Sequence, residues 1–279
     1  MQQTVLTTAH QAALTRIELA SGPINYRQRG RGFPIILLHG WGGSSRYWAG
    51  TLERLAPQRE LYAPDLPGYG DSPPFADAAT PQRLAELVID FADALGLEQF
   101  DLNGHSFSAS VACFVAARYP QRVRRLVLTC VSTYRSERER WLVNQVHKVM
   151  ALWLALRKPW MAEARPFYRS VASRFLYRAP SDDEVLRLCF VDFLKMDKRT
   201  ALESAAAAGS LEINLAMRAV QAPTLLVGAR QDGVMPALGT PEIARLIPNC
   251  RLTWIERCGH LPMIERPAVY HRLLEEFLG

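Results

Sequence analysis

The chain has 279 residues, 49% hydrophobic and 22% charged, enough apolar material for one large domain or a domain with an insertion, which excludes a disordered chain. Its five cysteines (Cys113, Cys130, Cys189, Cys250, Cys258) are odd in number and lack the close pairing of zinc or redox motifs, so reduced thiols in a cytoplasmic protein are expected. The net charge of +6 is concentrated: residues 135–180 hold ten basic and three acidic side chains, and no nucleic-acid module accompanies them.

The first twenty residues lack a basic start followed by an apolar run, so no secretory signal is expected. The longest apolar run, Val149 to Leu156, is far short of the roughly 20 residues that span a bilayer. From residue 34 onward, short apolar runs ending in turns alternate with segments of helical period, the pattern of a parallel sheet with crossover helices. PIILLHG precedes SRYWAGTLERLA, ELYAPDLPGYG precedes PQRLAELVIDFADALGL, and FDLNG precedes SASVACFVAARYP, before VRRLVLTCVS. The rhythm resumes with APTLLVGARQD and CRLTWIERCGH and ends in the amphipathic PAVYHRLLEEFLG. Near-continuous apolar strands imply helices on both faces of the sheet.

Between Thr133 and Leu215 only helical patterns occur, punctuated by Pro159, Pro166 and Pro180. Ser181 with Glu184 three residues on has the form of a capped helix start. This stretch is expected to be a helical insertion over one edge of the sheet, carried by a core of residues 1–132 and 216–279.

In an open parallel sheet, ligands bind at the carboxyl ends of the strands. Those positions hold His39 to Ser44, Asp65, Ser106, Asp232 and His260. A serine, an acid and a histidine in this order match one triad layout, with Ser106 as nucleophile, His260 as base and Asp232 as its orienter. Histidine suits the base because its unperturbed pKa is about 6.5. The sequence VSTY that follows the strand VRRLVLTC offers no alternative carboxylate. The glycines of HGWGGS allow close backbone approach, so the N–H groups of Trp41 and Phe107 are the expected oxyanion donors.

Five motifs in order, HGWGGS, DLPGYGDS (Asp65 to Ser72), GHSFS (Gly104 to Ser108), ARQDGVMP (Ala229 to Pro236) and CGHLPMIERP (Cys258 to Pro267), resemble those of the α/β-hydrolase family over nearly the whole chain. The resemblance implies an α/β fold with a sheet of about eight mostly parallel strands, a helical cap inserted before the acid-bearing strand, and no metal or organic cofactor. Ser108 departs from it, standing where the family usually has glycine.

Simpler roles compete at several positions. Ser108 and Ser110 suit helix capping or packing, Asp65, Asp71 and Asp232 suit turns, and His39 suits a loop brace. His105 flanks the turn without transferring protons. Trp41, His105, Trp141 and Trp153 are candidates for substrate contact, though Trp141, Trp153 and Trp160 suit helix core equally well. The expected chemistry is hydrolysis of a carboxylic ester with an apolar acyl group. The alternatives are carbon–carbon bond hydrolysis or another acyl transfer on the same triad, and a ligand-binding protein that kept the fold. The basic insertion suits a solvated face, an acidic partner such as an acyl carrier protein, or an anionic membrane surface.

Overall fold

Strand alternation sends neighbouring side chains to opposite sides of a sheet, and in this protein that rule sorts the apolar residues into two cores. The structure, a computed structural model, describes residues 12–131, 141, 145, 156–180, 183–207, 212–235 and 237–279. It contains an eight-stranded sheet of β1 (Leu14–Leu19), β2 (Gly22–Gly30), β3 (Phe33–Leu38), β4 (Arg59–Pro64), β5 (Phe100–His105), β6 (Val123–Thr129), β7 (Thr224–Ala229) and β8 (Cys250–Ile255). The spatial order is β1-β2-β4-β3-β5-β6-β7-β8. β2 runs antiparallel to both its neighbours, and every other pairing is parallel.

On one face, Ile36, Leu38, Leu102, Leu126, Leu128 and Leu226 pack with helices α2 (Pro81–Ala94) and α3 (Phe107–Arg118). On the other, Ile35, Leu37, Val127, Leu225 and Val227 pack with α1 (Ala49–Leu55) and the C-terminal helix. The helices expected on both faces are therefore present. β1 and β2 carry no continuous apolar run and are not signalled by the pattern that marks the other six. β1 is a largely exposed edge strand in which only Ile17 and Leu19 are partly buried, and Gly22, at φ +119°, turns the chain into β2.

Between β6 and β7 every described element is helical: a 3-10 turn at Pro159–Ala162, α4 (Arg165–Ala172), α5 (Asp183–Lys195), α6 (Lys198–Ala207) and α7 (Glu212–Ala219). The division expected between residues 215 and 216 cuts through α7. That helix buries Ile213, Ala216 and Met217 and packs against α3, so it sits with the sheet and not above it. Ser181 lies outside the described residues. Three more helices, α8 (Thr240–Leu246), α9 (Pro262–Glu265) and α10 (Pro267–Leu278), complete the described chain. No described helix is long and apolar enough to cross a membrane.

Candidate active site

β5 ends at His105, and the chain must reverse at once into α3. Ser106 makes that turn with φ +54° and ψ −118°, a conformation costly for a residue with a Cβ. Its N–H is fixed by the Thr129 carbonyl at 2.8 Å, and its own carbonyl accepts from Ala109 N–H at 3.0 Å. Gly104 makes the turn possible, because a Cβ there would lie 2.8 Å from both Ala109 Cα and Ala112 Cβ. Beneath it, Asn103 Nδ2 donates to the Tyr270 hydroxyl at 2.8 Å, and Thr129 Oγ1 lies 2.8 Å from the same hydroxyl. These bonds satisfy the buried polar groups that hold the strand end.

Ser106 Oγ lies 2.8 Å from His260 Nε2, and His260 Nδ1 lies 2.7 Å from Asp232 Oδ2. All three side chains are buried. The second oxygen of Asp232 accepts from the N–H groups of Val234 and Met235, each at 2.8 Å. Burial acts to raise the Asp232 carboxyl. The charge and hydrogen bond of His260, with those two amides, outweigh it and hold the carboxyl below the usual range. An ionised Asp232 fixes the proton on His260 Nδ1 and leaves Nε2 free to accept from Ser106. His260 itself is held by its N–H, which donates to the Phe175 carbonyl at 2.7 Å.

Gly40 brings the HGWGGS segment against the serine: a Cβ there would lie 3.1 Å from Ser106 Cβ and 2.7 Å from His105 Nδ1. Phe107 is the first residue of α3, so its N–H has no acceptor within the helix. His39 braces this segment, with Nδ1 2.9 Å from the Gly40 carbonyl and Nε2 accepting from Leu66 N–H at 3.0 Å. Burial holds its ring below the usual histidine range, and it stays neutral. Asp65 accepts from Ser45 N–H at 2.6 Å and Asp71 N–H at 2.9 Å, the bonds of a turn acid.

His105 donates from Nε2 to the His260 carbonyl at 2.8 Å, and burial followed by the charge of His260 pushes it down to about 3. His105, Cys130 and His260 bring ligand atoms within 4.8 Å of one another, the one such grouping among the described residues. Both ring nitrogens of His260 and Nε2 of His105 are already engaged in the bonds above.

Beside Ser106 opens a cavity of about 590 Å³, counted with the part that meets solvent. Trp41, His105, Phe175, Phe190, Phe193 and His260 are among its walls, and among the described residues none that lines it is Asp, Glu, Lys or Arg. Trp141 is 61% exposed and Trp160 59%, and neither lines the cavity; Trp153 lies outside the described residues. The described aromatic wall is formed by Phe175, Phe190 and Phe193 together with Trp41 and Tyr47. On α5 the lining residues Leu186, Cys189, Phe190 and Phe193 recur at three and four, a stripe visible in the sequence as helical periodicity. Nothing in the sequence marks Asp192, which is buried between α5 and the HGWGGS segment.

A strand, a strained serine turn, a helix, and an acid and histidine on later strand ends define a nucleophile-elbow hydrolase architecture. The family model described as "alpha/beta hydrolase fold" matches residues 34–267, and the chain belongs to that family. It is 30% identical to 2-hydroxymuconate semialdehyde hydrolase of Pseudomonas putida, over 91% of this chain and 90% of that one. It is 26% identical to a pimeloyl-[acyl-carrier protein] methyl ester esterase of Aeromonas hydrophila, over 92% and 99%. Its fold is similar to that of the solved meta-cleavage product hydrolase of Pseudomonas fluorescens IP01, with TM-score 0.77, 26% identity, and 96% and 98% of the two chains covered.

Proposed function

We propose that the protein is a serine hydrolase that cleaves carboxylic esters with an apolar acyl group beneath a helical cap. The observation that carries this is the continuous chain from Ser106 through His260 to Asp232, at 2.8 and 2.7 Å, beside a cavity that the described residues line with apolar and aromatic side chains. In this reading Ser106 Oγ attacks the acyl carbon while His260 Nε2 takes its proton, and Asp232 stabilises the imidazolium. The N–H groups of Trp41 and Phe107 receive the oxyanion, each worth about 3–4 kcal/mol in the transition state. Collapse returns the proton from His260 to the departing alkoxide, leaving an acyl group on Ser106. Water, deprotonated by His260, attacks that acyl carbon, and the acid leaves as Ser106 is reprotonated. No step calls on a metal or an organic cofactor.

Carbon–carbon bond hydrolysis is the second reading, favoured by the 30% identity to a 2-hydroxymuconate semialdehyde hydrolase. The ester reading is supported by the apolar side chains that line the cavity among the described residues, Val171, Leu176, Leu186 and Phe190 among them. The excess of basic residues at 135–180, together with the carrier-linked substrate in the esterase relative's name, supports an acyl group presented on an acidic carrier protein. Part of that charge is neutralised within the chain, since Arg165 and Arg169 both pair with Asp183. Adsorption to an anionic membrane surface answers the same charge. The five unpaired cysteines support a cytoplasmic location.

A fluorophosphonate should label wild type and leave Ser106→Ala unmodified by intact-mass spectrometry; undiminished labelling of the variant overturns the nucleophile assignment. p-Nitrophenyl esters of increasing chain length should then be turned over faster than a meta-cleavage dienoate. The reverse order establishes the carbon–carbon reading.

A further inference from the structure

The segment from His39 to Trp48 carries the Trp41 N–H assigned above to the oxyanion. It is a loop followed by a 3-10 turn, and its own backbone bonds include only short-range links, Gly43 N–H to the Gly40 carbonyl and Tyr47 N–H to the Ser44 carbonyl, each at 3.1 Å. From the sheet side it rests on Asp65 and His39, as described. From the other side it is gripped by α5. Asp192, whose side chain has no exposed surface, accepts from Ser44 Oγ at 2.5 Å and from Arg46 Nη1. Arg46 Nη2 reaches on to Asp71 at 3.1 Å, and Lys195 of α5 meets the other oxygen of Asp71 at 2.9 Å. Beside Asp192, the Phe193 ring packs edge-on against Trp41 at 5.7 Å, and a Cβ at Gly42 would lie 2.8 Å from that ring. Trp41 Nε1 donates to the Ala201 carbonyl on α6 at 3.1 Å.

A carboxylate in such a place is an expensive way to anchor a helix, because replacing a buried ion pair by well-packed apolar side chains is often neutral or stabilising. What a carboxylate adds is direction: two donors from one short loop converge on a single group and fix where that loop lies. We propose that Asp192 is a positioning residue for the oxyanion site, holding Ser44 and Arg46 so that, only while α5 is docked, the Trp41 N–H is aimed at the oxyanion formed when Ser106 Oγ attacks the acyl carbon. The proposal rests on the reading of Ser106 as nucleophile and Trp41 as oxyanion donor. Docking of the helical segment over the cavity and completion of the oxyanion site are then one event, so the catalytic arrangement is whole only when the cavity is covered.

The test uses the full-length enzyme with Asp192→Asn, which keeps the shape, and Ser44→Ala, which removes one bond. Each is assayed for kcat and KM on a p-nitrophenyl ester, for the rate of fluorophosphonate labelling, and for thermal stability. Small displacements of catalytic groups lower rates strongly, up to about 100-fold for 1 Å. Both variants should lose about ten-fold or more in kcat and in labelling rate, with KM within about two-fold and a melting temperature close to wild type. Asp192→Glu should not rescue, because the longer side chain displaces the loop. Unchanged kcat in both variants, or a rise in KM with kcat retained, overturns the proposal and leaves Asp192 as wall or anchor. Wild type that neither turns over an ester nor reacts with the fluorophosphonate overturns the nucleophile reading instead, and the positioning role with it.

Discussion

Ser108 stands where glycine is usual in this family, and its surroundings explain why a hydroxymethyl group fits. The close approach of β5 and α3 falls on Gly104, whose missing side chain leaves room for the Ser108 carbonyl and the Ala109 backbone. The Ser108 side chain turns away from that contact and donates from Oγ to the His39 carbonyl at the end of β3. It thus ties the serine turn to the loop beside it and does not cap α3, as its position near the helix start suggests. Ser108→Ala leaves a buried carbonyl without its donor and should lower stability by about 1 kcal/mol in urea denaturation. Ester turnover should fall only a few-fold, since the hydroxyl touches neither His260 nor the cavity. A Gly104→Ala variant should be far worse, with loss of folded protein or of nearly all activity, because its Cβ has nowhere to go without parting strand and helix.

At the scale of an element, α5 carries two jobs on adjacent faces. Leu186, Cys189, Phe190 and Phe193 line the cavity, while Asp192 and Lys195 reach the core loops. Burial, only partly offset by Arg46 and Ser44, pushes the Asp192 carboxyl up to about 6. Facing it are Ser44, Arg46 and Tyr47 of the loop, Asp65 and Asp71 behind Arg46, Arg27 of β2, and Cys189 and Lys195 of its own helix. The sign follows from linkage: the native state binds this proton more tightly than the unfolded chain, so its stabilising effect is complete below about pH 4. It is lost as pH rises to about 6, by an amount on the order of 3 kcal/mol for a shift of about two units. Asp192→Asn should flatten this part of the stability profile and be no less stable than wild type at pH 8, as measured by denaturant titration at each pH. A variant that is as stable yet slower is the signature of a group retained for function.

At the scale of the molecule, the two ends of the sheet are built differently. The carboxyl ends hold the strained serine and the loops, whereas the amino ends hold a buried ionic knot. Asp101, fully buried, pairs with Arg59 and with Arg124, the latter at 2.9 and 2.7 Å. Both arginines also donate to the Leu278 carbonyl at 3.1 Å, which pins the last turn of α10 beneath the sheet. Asp101→Ala leaves both guanidinium groups without their shared anion and should cost about 3–5 kcal/mol in denaturant unfolding. The kcat of the fraction that remains folded should stay near wild type, since the knot lies across the sheet from Ser106.

The local order of apolar runs and turns was enough to read six of the eight strands, because parallel strands buried on both faces leave an unmistakable composition. It also singled out Ser106, Asp232 and His260, because chemistry at strand ends leaves small, polar or glycine-flanked residues at fixed offsets from those runs. β1 at the sheet edge and β2 beside it carried no such signature, since strands that are only partly buried mix polar and apolar residues as loops do. The tertiary structure alone decided which aromatic residues face the cavity, turning Phe175, Phe190 and Phe193 inward and leaving Trp141 and Trp160 exposed. It alone brought Asp192 against Ser44, 148 positions away in the chain. A helix face is legible in sequence as periodicity, but the partner it meets depends on how distant elements pack, and that information is not local.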